Sequence, residues 1–265
     1  MNKTMKRHLF LVLNHGAWNN RLANVDVDRD GYLRFFQSPE GGFWGDDEIT
    51  IYNDNFYFSA FEKNIAFQKT IQAPYEFIVF VFCGHGCTDE NGEQWFEIRP
   101  DNTAGSDISL TQFRQACAGT RTLLISDACS SLYTGPLFEQ RTLNFCVRGV
   151  DEDFSYALSC RALYNSIVRM TPPGTFVSGF AASRGESARE NENGGYYSQS
   201  LLKEANNVIN ALKNDSRLRV YDNAPFSYIH GLAREDVIKL SNNEQHPTID
   251  MPRDKQQLPF VVVAK

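Results

Sequence analysis

The stretch Phe77-Ile-Val-Phe-Val-Phe82, which runs directly into Cys83-Gly-His-Gly86, decides the fold class of this chain. A run of apolar residues without polar alternation is typical of a strand that is buried on both faces of a parallel sheet. The same pattern, with helical spacing in the segments between, predicts strands at 8–13 and 122–126 and helices at 58–72 and 109–117. This order of strands and helices predicts an α/β sandwich with a mainly parallel, roughly six-stranded sheet.

The rest of the chain adds further elements and two irregular segments. The sequence predicts strands at 49–52, 175–182 and 260–264, and helices at 198–212 and 229–240. We interpret Gly41–Glu48, which is rich in glycine and acidic residues, as a solvated loop. Residues 133–173 mix aromatic, basic and acidic side chains and are interpreted as a second loop region.

Composition limits the classes of function. The 265 residues are 42% hydrophobic and 22% charged, which is typical of a globular protein. The apolar stretch Leu9–Leu13 is too short for a signal-peptide core, and no run approaches the ~18–20 residues of a membrane span. We therefore expect a cytoplasmic protein without membrane contact. The net charge of −6 argues against nucleic-acid binding, and six cysteines are too few for a disulfide framework.

Two of the predicted strands end in reactive residues. The run 77–82 leads to His85, and the run 122–126 leads to Cys129. Because ligands bind beyond the carboxyl ends of parallel strands, an imidazole and a thiol meet at one sheet edge if these strands are neighbours. A histidine can take the proton of a cysteine nucleophile, and the N–H groups of Gly86 and Cys129 can hold an oxyanion. The pattern therefore favours acyl transfer by a His85/Cys129 pair.

Other interpretations of these residues stay open at this stage. Cys129 could instead be a cysteine buried in the hydrophobic core. Asp127 could instead cap a turn. Cys83 and Cys87 flank His85 and suggest zinc, but no second Cys/His cluster supplies the other ligands, so we expect no metal site.

A calcium-binding loop is a further alternative near the N-terminus. Asp26-Val-Asp28-Arg-Asp30-Gly31 matches the front of an EF-hand loop, but its twelfth position is Gln37, which cannot provide the bidentate carboxylate. The simpler interpretation is the start of a helix, where acidic residues are favoured by the helix dipole.

The two strand-end motifs resemble the His-Gly and Asp-x-Cys signatures of the caspase and metacaspase cysteine proteases. His85 precedes Cys129 by 44 residues, near the ≈ 50 of the caspase pattern. The segments around Asn24–Asp30, Ala182–Ala188 and Tyr197–Leu202 are similar to further parts of that family. The resemblance implies a caspase-like three-layer α/β/α sandwich and a cysteine endopeptidase.

The residue two positions before Cys129 indicates the subfamily. Caspases carry Gln two positions before the nucleophile, whereas this chain has Asp127, as metacaspases do. An anionic Asp127 attracts a substrate Arg or Lys and repels Asp. By resemblance Asp28 is a second wall of this S1 pocket, which predicts cleavage after basic residues. The chain departs from the metacaspase pattern at Ser130 and Cys83, which puts the shape of the pocket in doubt.

The sequence thus predicts one peptidase domain over 1–265, in which residues 1–132 are large-subunit-like, residues 133–174 form a processing and substrate loop region, and residues 175–265 are small-subunit-like. In that loop region Arg141, Arg148, Arg161 and Arg169 are candidate self-cleavage sites. A protein substrate is expected and no cofactor is required. The resemblance leaves calcium open as an activator at an unlocated site, and implies a cell-death, stress or defence pathway. A catalytically silent scaffold, or a zymogen that needs an activating partner, are the alternatives.

Overall fold

The computed structural model describes residues 5–17, 21–70, 74–98, 107–130, 153–215, 221–253 and 257–264. In chain order its elements are β1 (Arg7–Leu13), α1 (Val25–Gln37), β2 (Ile49–Asn53), α2 (Phe58–Thr70), β3 (Phe77–Cys83), β4 (Gly86–Thr88), β5 (Gln94–Glu97), β6 (Asp107–Ser109), α3 (Leu110–Ala116), β7 (Arg121–Asp127), α4 (Phe154–Met170), β8 (Phe176–Phe180), β9 (Glu190–Asn191), β10 (Gly194–Gly195), α5 (Tyr196–Asn214), β11 (Tyr221–Pro225), α6 (Phe226–Leu240), β12 (Thr248–Asp250) and β13 (Pro259–Ala264).

The central sheet has six strands in the order β12-β8-β7-β3-β1-β2. Its pairs are parallel except at the edge, where β12 runs antiparallel to β8. The predicted mixed α/β architecture with a mainly parallel sheet is therefore confirmed. None of the helices in the described ranges has the length and apolar composition that crossing a membrane requires.

The sheet is covered on both faces, which explains why β3 is apolar throughout. Alternate side chains of a strand point to opposite faces. Phe77, Val79 and Val81 belong to one hydrophobic core, together with residues of α1, α4, α5 and α6. Ile78 and Phe80 belong to a second core, with residues of α2 and α3. Full burial of each such side chain contributes roughly 1.5–3 kcal/mol.

The segment Gly41–Glu48 is not the solvated loop that its glycines and acidic residues predict. Trp44 is buried, and the guanidinium of Arg7 lies 4.2 Å from the Trp44 ring centroid. Glu48 forms ion pairs with both Arg7 and Arg161. Glu48 is thus the partner of two arginines, which is why this acidic side chain is buried while Asp46 and Asp47 stay exposed.

The loop region predicted over 133–174 is wrong for its second half, where residues 154–170 form α4. The buried side chains Ala157, Cys160, Tyr164 and Val168 recur at helical spacing and pack into the core. Residues 133–152 lie outside the described residues of the chain. The terminal strand β13 is not part of the central sheet: it pairs with β11 in a separate two-stranded sheet.

Candidate active site

His85 and Cys129 lie at the carboxyl ends of neighbouring strands. β3 and β7 pair in parallel to their last residues, Cys83 and Asp127, and Gly84 N donates a hydrogen bond to the Asp127 carbonyl over 3.2 Å. His85 follows β3 by two residues, and Cys129 follows β7 by two. Both line one cleft. The structure thus brings the predicted pair together at one sheet edge.

Gly86 presents its backbone N–H away from the neighbouring strand. Antiparallel pairs alternate between hydrogen-bonded and non-hydrogen-bonded positions. Glu97 N donates to the His85 carbonyl over 3.0 Å, so the next pair, Gly86 with Phe96, is of the non-hydrogen-bonded kind. A Cβ at position 86 would lie 3.0 Å from the Cys129 carbonyl oxygen. Glycine at position 86 therefore lets the backbone lie close to the Cys129 segment.

The thiol of Cys129 is protonated in the resting site. Its Sγ is 3.6 Å from the Ala188 carbonyl oxygen, to which it donates a weak hydrogen bond. Burial raises the pKa of the Cys129 thiol, and the negative charges of Asp127 and Glu190 raise this pKa further. Deprotonation therefore requires a base or a change in the local charge.

Three carboxylates line the same cleft: Asp28, Asp127 and Glu190. Asp127 Oδ2 accepts a hydrogen bond from Ser198 N over 2.8 Å. Asp28 Oδ1 accepts one from Gly195 N over 3.1 Å. The two residues predicted for the S1 pocket are therefore side by side at the beginning of α5, close to both His85 and Cys129.

The beginning of α5 is built around these two carboxylates. Its N-cap, Gly195, has no side chain, so Asp127 supplies the acceptor that an N-cap Ser or Asp would provide for Ser198 N. A Cβ at Gly195 would collide with the Asp127 carboxylate, and one at Gly194 with that of Asp28. Gly194 also has a φ of 101°, a conformation that side chains disfavour. The glycine pair thus makes room for the acidic pocket.

Burial makes these carboxylates weak acids. Burial raises the pKa of Asp127 from 3.8 to about 6, although hydrogen bonds from Ser198 oppose the shift. The pKa of Asp28 is raised well above its usual value by burial and by the charge of Asp127. Burial also raises the pKa of Glu190, against a hydrogen bond from Ala23 N. Each of these carboxyl groups therefore keeps its proton to a higher pH than a solvent-exposed carboxyl group does.

Glu190 was not singled out by the sequence patterns. It lies in a polar segment with two other glutamates, Glu186 and Glu192, and no motif distinguishes it from them. In the structure Glu186 is ion-paired with His246 and Glu192 is exposed, so only Glu190 of the three lines the cleft. Arg189 also lines the cleft, but its guanidinium is ion-paired with Glu244.

The EF-hand alternative is excluded because residues 26–37 belong to α1 and form no loop. Cys83, one of the two cysteines that flank His85, is fully buried at the end of β3. Within the described ranges, no cluster of three or more His, Cys, Asp or Glu side chains has an arrangement that could hold a metal ion.

Two of the four candidate self-cleavage sites lie inside a helix. Arg161 and Arg169 are residues of α4, and Arg161 donates hydrogen bonds to Glu48 and to the Phe43 carbonyl. A protease binds its substrate in an extended form, so α4 would have to unfold before either bond could be cut. The other two candidates, Arg141 and Arg148, lie outside the described residues.

Comparison with known proteins identifies a family that the chain matches and a solved structure of similar fold. The family model described as the caspase domain matches residues 7–256. Among solved structures, the chain is similar to caspase-1 from Spodoptera frugiperda, with 15% sequence identity and a TM-score of 0.53. That match covers 95% of this chain and 88% of the insect caspase. The comparison with curated protein sequences finds no match.

Proposed function

Because this chain belongs to the caspase-domain family and is therefore a cysteine-type peptidase, we propose that Cys129 is its nucleophile and His85 its general acid and base. The observation that carries this proposal is that both residues line one cleft at the ends of β3 and β7. The same cleft holds the acidic pocket, so a bound side chain and the nucleophile are close to each other.

The proposed reaction proceeds through an acyl-enzyme. Cys129 Sγ attacks the scissile carbonyl carbon as His85 takes the thiol proton, and the N–H groups of Gly86 and Cys129 bind the oxygen that becomes negative. The C–N bond then breaks, and His85 gives its proton to the leaving amine. Water attacks the thioester with His85 as base, and the S–C bond breaks to release the acid and restore the thiol. This mechanism requires no cofactor.

We propose that the cleft selects a basic P1 side chain. Asp127, Asp28 and Glu190 face a space where a guanidinium or ammonium could enter, and buried carboxylates bind such cations through charge-assisted hydrogen bonds. A P1 aspartate would meet like charge at the same place. Glu190 is the residue that this proposal adds to the pocket predicted from the sequence. The specificity is that of metacaspases, as opposed to caspases.

A basic P1 residue would also activate the nucleophile. The charges of Asp127 and Glu190 contribute to the raised pKa of Cys129. A cation in the pocket offsets those charges and thereby lowers the pKa of the thiol. The correct substrate thus favours proton transfer to His85, and an empty pocket keeps the thiol protonated and less reactive.

The test is hydrolysis of three matched peptides with Arg, citrulline or Asp at P1. Citrulline is a neutral analogue of arginine of nearly the same shape, so it separates charge from size. We expect turnover of the Arg peptide, little of the other two and none in Cys129→Ala. The matched control is Cys87→Ala, which removes another thiol beside Gly86 and should leave turnover intact. Turnover that survives Cys129→Ala, or a preference for Asp, would contradict the proposal.

The same assay addresses activation. A wild-type protein without turnover, in which an alkylating reagent still labels Cys129, would favour a zymogen that needs a partner. Added calcium and a chelator are included because the resemblance leaves this ion open. Turnover that rises with calcium and falls with the chelator would show that this ion activates the protein, and equal rates would show that it does not.

A further inference from the structure

Gln94 is the first residue of β5 and contacts the nucleophile segment directly. Its Nε2 donates a hydrogen bond to the Cys129 carbonyl over 3.1 Å, and its Oε1 accepts one from Ser130 Oγ over 2.8 Å. Oε1 also accepts from Thr88 Oγ1 over 3.2 Å. Gln94 is buried. One amide thus binds two consecutive residues, the proposed nucleophile and its successor.

The orientation of this amide is fixed by its surroundings. Nε2 faces two carbonyl oxygens, those of Cys129 and Trp95, at 3.1 and 3.4 Å. The reversed orientation would place Oε1 against both carbonyl oxygens, which repel it. The hydroxyls on the other side can donate to Oε1 in the observed orientation. Gln94 therefore acts as a donor toward the Cys129 backbone and as an acceptor from Ser130.

The nucleophile segment is held from its other side by the backbone. Ser130 N donates to the Glu186 carbonyl over 2.9 Å, and Gly185 N donates to the Ser130 carbonyl over 2.7 Å. Ser130 N lies in the same peptide plane as the Cys129 carbonyl, so the bond to Glu186 holds one edge of that plane. The Gln94 amide binds the opposite edge, at the Cys129 carbonyl, and the two bonds together fix the rotation about the Cα–C bond of Cys129.

The strand that carries Gln94 also holds the other catalytic segment. Glu97, at the far end of β5, donates its N–H to the His85 carbonyl over 3.0 Å. One four-residue strand thus contacts both segments, in addition to the direct pairing of β3 with β7. A shift at its Gln94 end moves Cys129 relative to His85, and catalysis is sensitive to displacements of about 1 Å.

We propose that Gln94 is a positioning residue for catalysis: its side-chain amide holds the Cys129 backbone so that Sγ faces His85 and the N–H of Cys129 faces the oxyanion. This inference rests on the proposed role of Cys129 as nucleophile. Gln94 need not touch the substrate. A change at Gln94 should therefore affect the chemical step and leave substrate binding in the acidic pocket unchanged.

The test compares Gln94→Met with Thr88→Val. Methionine keeps the volume of Gln94 and loses its hydrogen bonds, whereas Thr88→Val removes one bond to the same amide and leaves those to Cys129 and Ser130 intact. For Gln94→Met we expect kcat for the P1-Arg peptide to fall about 10- to 100-fold with KM nearly unchanged. Thr88→Val should retain kcat. Unchanged kcat in Gln94→Met, or an equal loss in Thr88→Val, overturns the proposal.

A second variant keeps the proposal testable if Gln94→Met does not fold. Gln94→Glu is nearly isosteric and places a carboxylate oxygen against the Cys129 carbonyl at neutral pH. When protonated, its hydroxyl can donate to that carbonyl. We expect its kcat, relative to wild type at the same pH, to recover as the pH falls. A ratio that does not change with pH contradicts the inference.

Failure of the proposed function is distinguishable from failure of this inference. Turnover that survives Cys129→Ala would remove Cys129 from the reaction whatever Gln94 does. The rate at which iodoacetamide alkylates Cys129, measured by mass spectrometry, reports the position and protonation of the thiol without any turnover. Loss of turnover in Cys129→Ala combined with wild-type kcat and alkylation in Gln94→Met would reject the positioning role alone.

Discussion

Replacing Asp127 with asparagine should stabilise the protein at neutral pH while it damages the pocket. The carboxylate is fully buried, and burial raises its pKa from 3.8 to about 6. Keeping it charged in the folded state therefore has a free-energy cost, which a neutral amide avoids. The Oδ1 atom of the new asparagine can still accept the hydrogen bond from Ser198 N. The change thus removes the charge and preserves the cap of α5.

The pKa shift gives the size of the effect and its dependence on pH. A shift of about two pH units, at 1.36 kcal/mol per unit, corresponds to about 3 kcal/mol. Because the folded pKa is the higher one, the contribution of Asp127 to stability is fully present below pH 3.8 and is lost as the pH rises through about 6. At pH 5 it amounts to about 1.4 kcal/mol, and at pH 8 to almost nothing.

Urea unfolding of wild type and Asp127→Asn at pH 8, 6.5 and 5 measures this difference. We expect the variant to be more stable at pH 8, by up to about 3 kcal/mol, and the wild type to gain about 1.4 kcal/mol on the variant by pH 5. The kcat/KM of Asp127→Asn for the P1-Arg peptide should fall about 10- to 100-fold, since a charge-assisted contact with the substrate is lost. A variant that is less stable at pH 8, or a stability difference that does not change with pH, would refute the reasoning.

Three further predictions concern the same cleft. The Glu190→Gln variant should lower the pKa of Cys129, because Glu190 contributes to its elevation; the pH profile of iodoacetamide alkylation should then shift to lower pH, and an unshifted profile would exclude this coupling. The Gly195→Ala variant should lower both thermal stability and turnover of the P1-Arg peptide, because the added Cβ meets the Asp127 carboxylate. The control variant Gly231→Ala adds a Cβ in an open stretch of α6 and should be neutral or slightly stabilising. Thermal unfolding and peptide assays of both variants check this, and similar losses in both would contradict the prediction. Finally, KM for the P1-Arg peptide should fall between pH 5 and 7 as Asp127 loses its proton at about 6, while KM for the citrulline peptide should stay nearly constant; parallel changes for the two peptides would refute a charged pocket.

The sheet could be predicted because its sequence signal is local. In β3, consecutive side chains enter two different cores, so every position must be apolar and the run is unmistakable. The rule that ligands bind at the carboxyl ends of parallel strands then locates His85 and Cys129 without knowledge of the packing. Both steps depend on neighbours along the chain and on one general property of parallel sheets.

Two segments were mispredicted because their local composition hides their structure. Gly41–Glu48 is polar and rich in glycine, but Glu48 is buried by Arg7 and Arg161, which lie 41 residues before it and 113 after it. In α4 the buried residues have helical spacing, but Phe154 and Met170 are large apolar residues on the exposed side and obscure it. Local composition cannot reveal such compensation.

The site shows the same division between local and distant information. Asp127 precedes the nucleophile by two residues, so a motif identifies it. Glu190 and Gln94 enter the site from β9 and β5, and their neighbours in sequence include equally polar residues. Only the packing of these strands against the nucleophile segment separates them from the other acidic and amide side chains of the chain.

The way the pocket is stabilised leaves its charge available to a substrate. The hydrogen bonds described for Asp28 and Asp127 come from the first turn of α5, through Gly195 N and Ser198 N. Backbone donors at a helix N-terminus stabilise a carboxylate without adding a positive side chain to neutralise it. An arginine partner would instead have formed a closed ion pair, as Glu48 does with Arg7. The same fold thus contains one acidic site that is neutralised by arginine, and a second one, without such a partner among the bonds described, to which our proposal assigns the cation of the substrate.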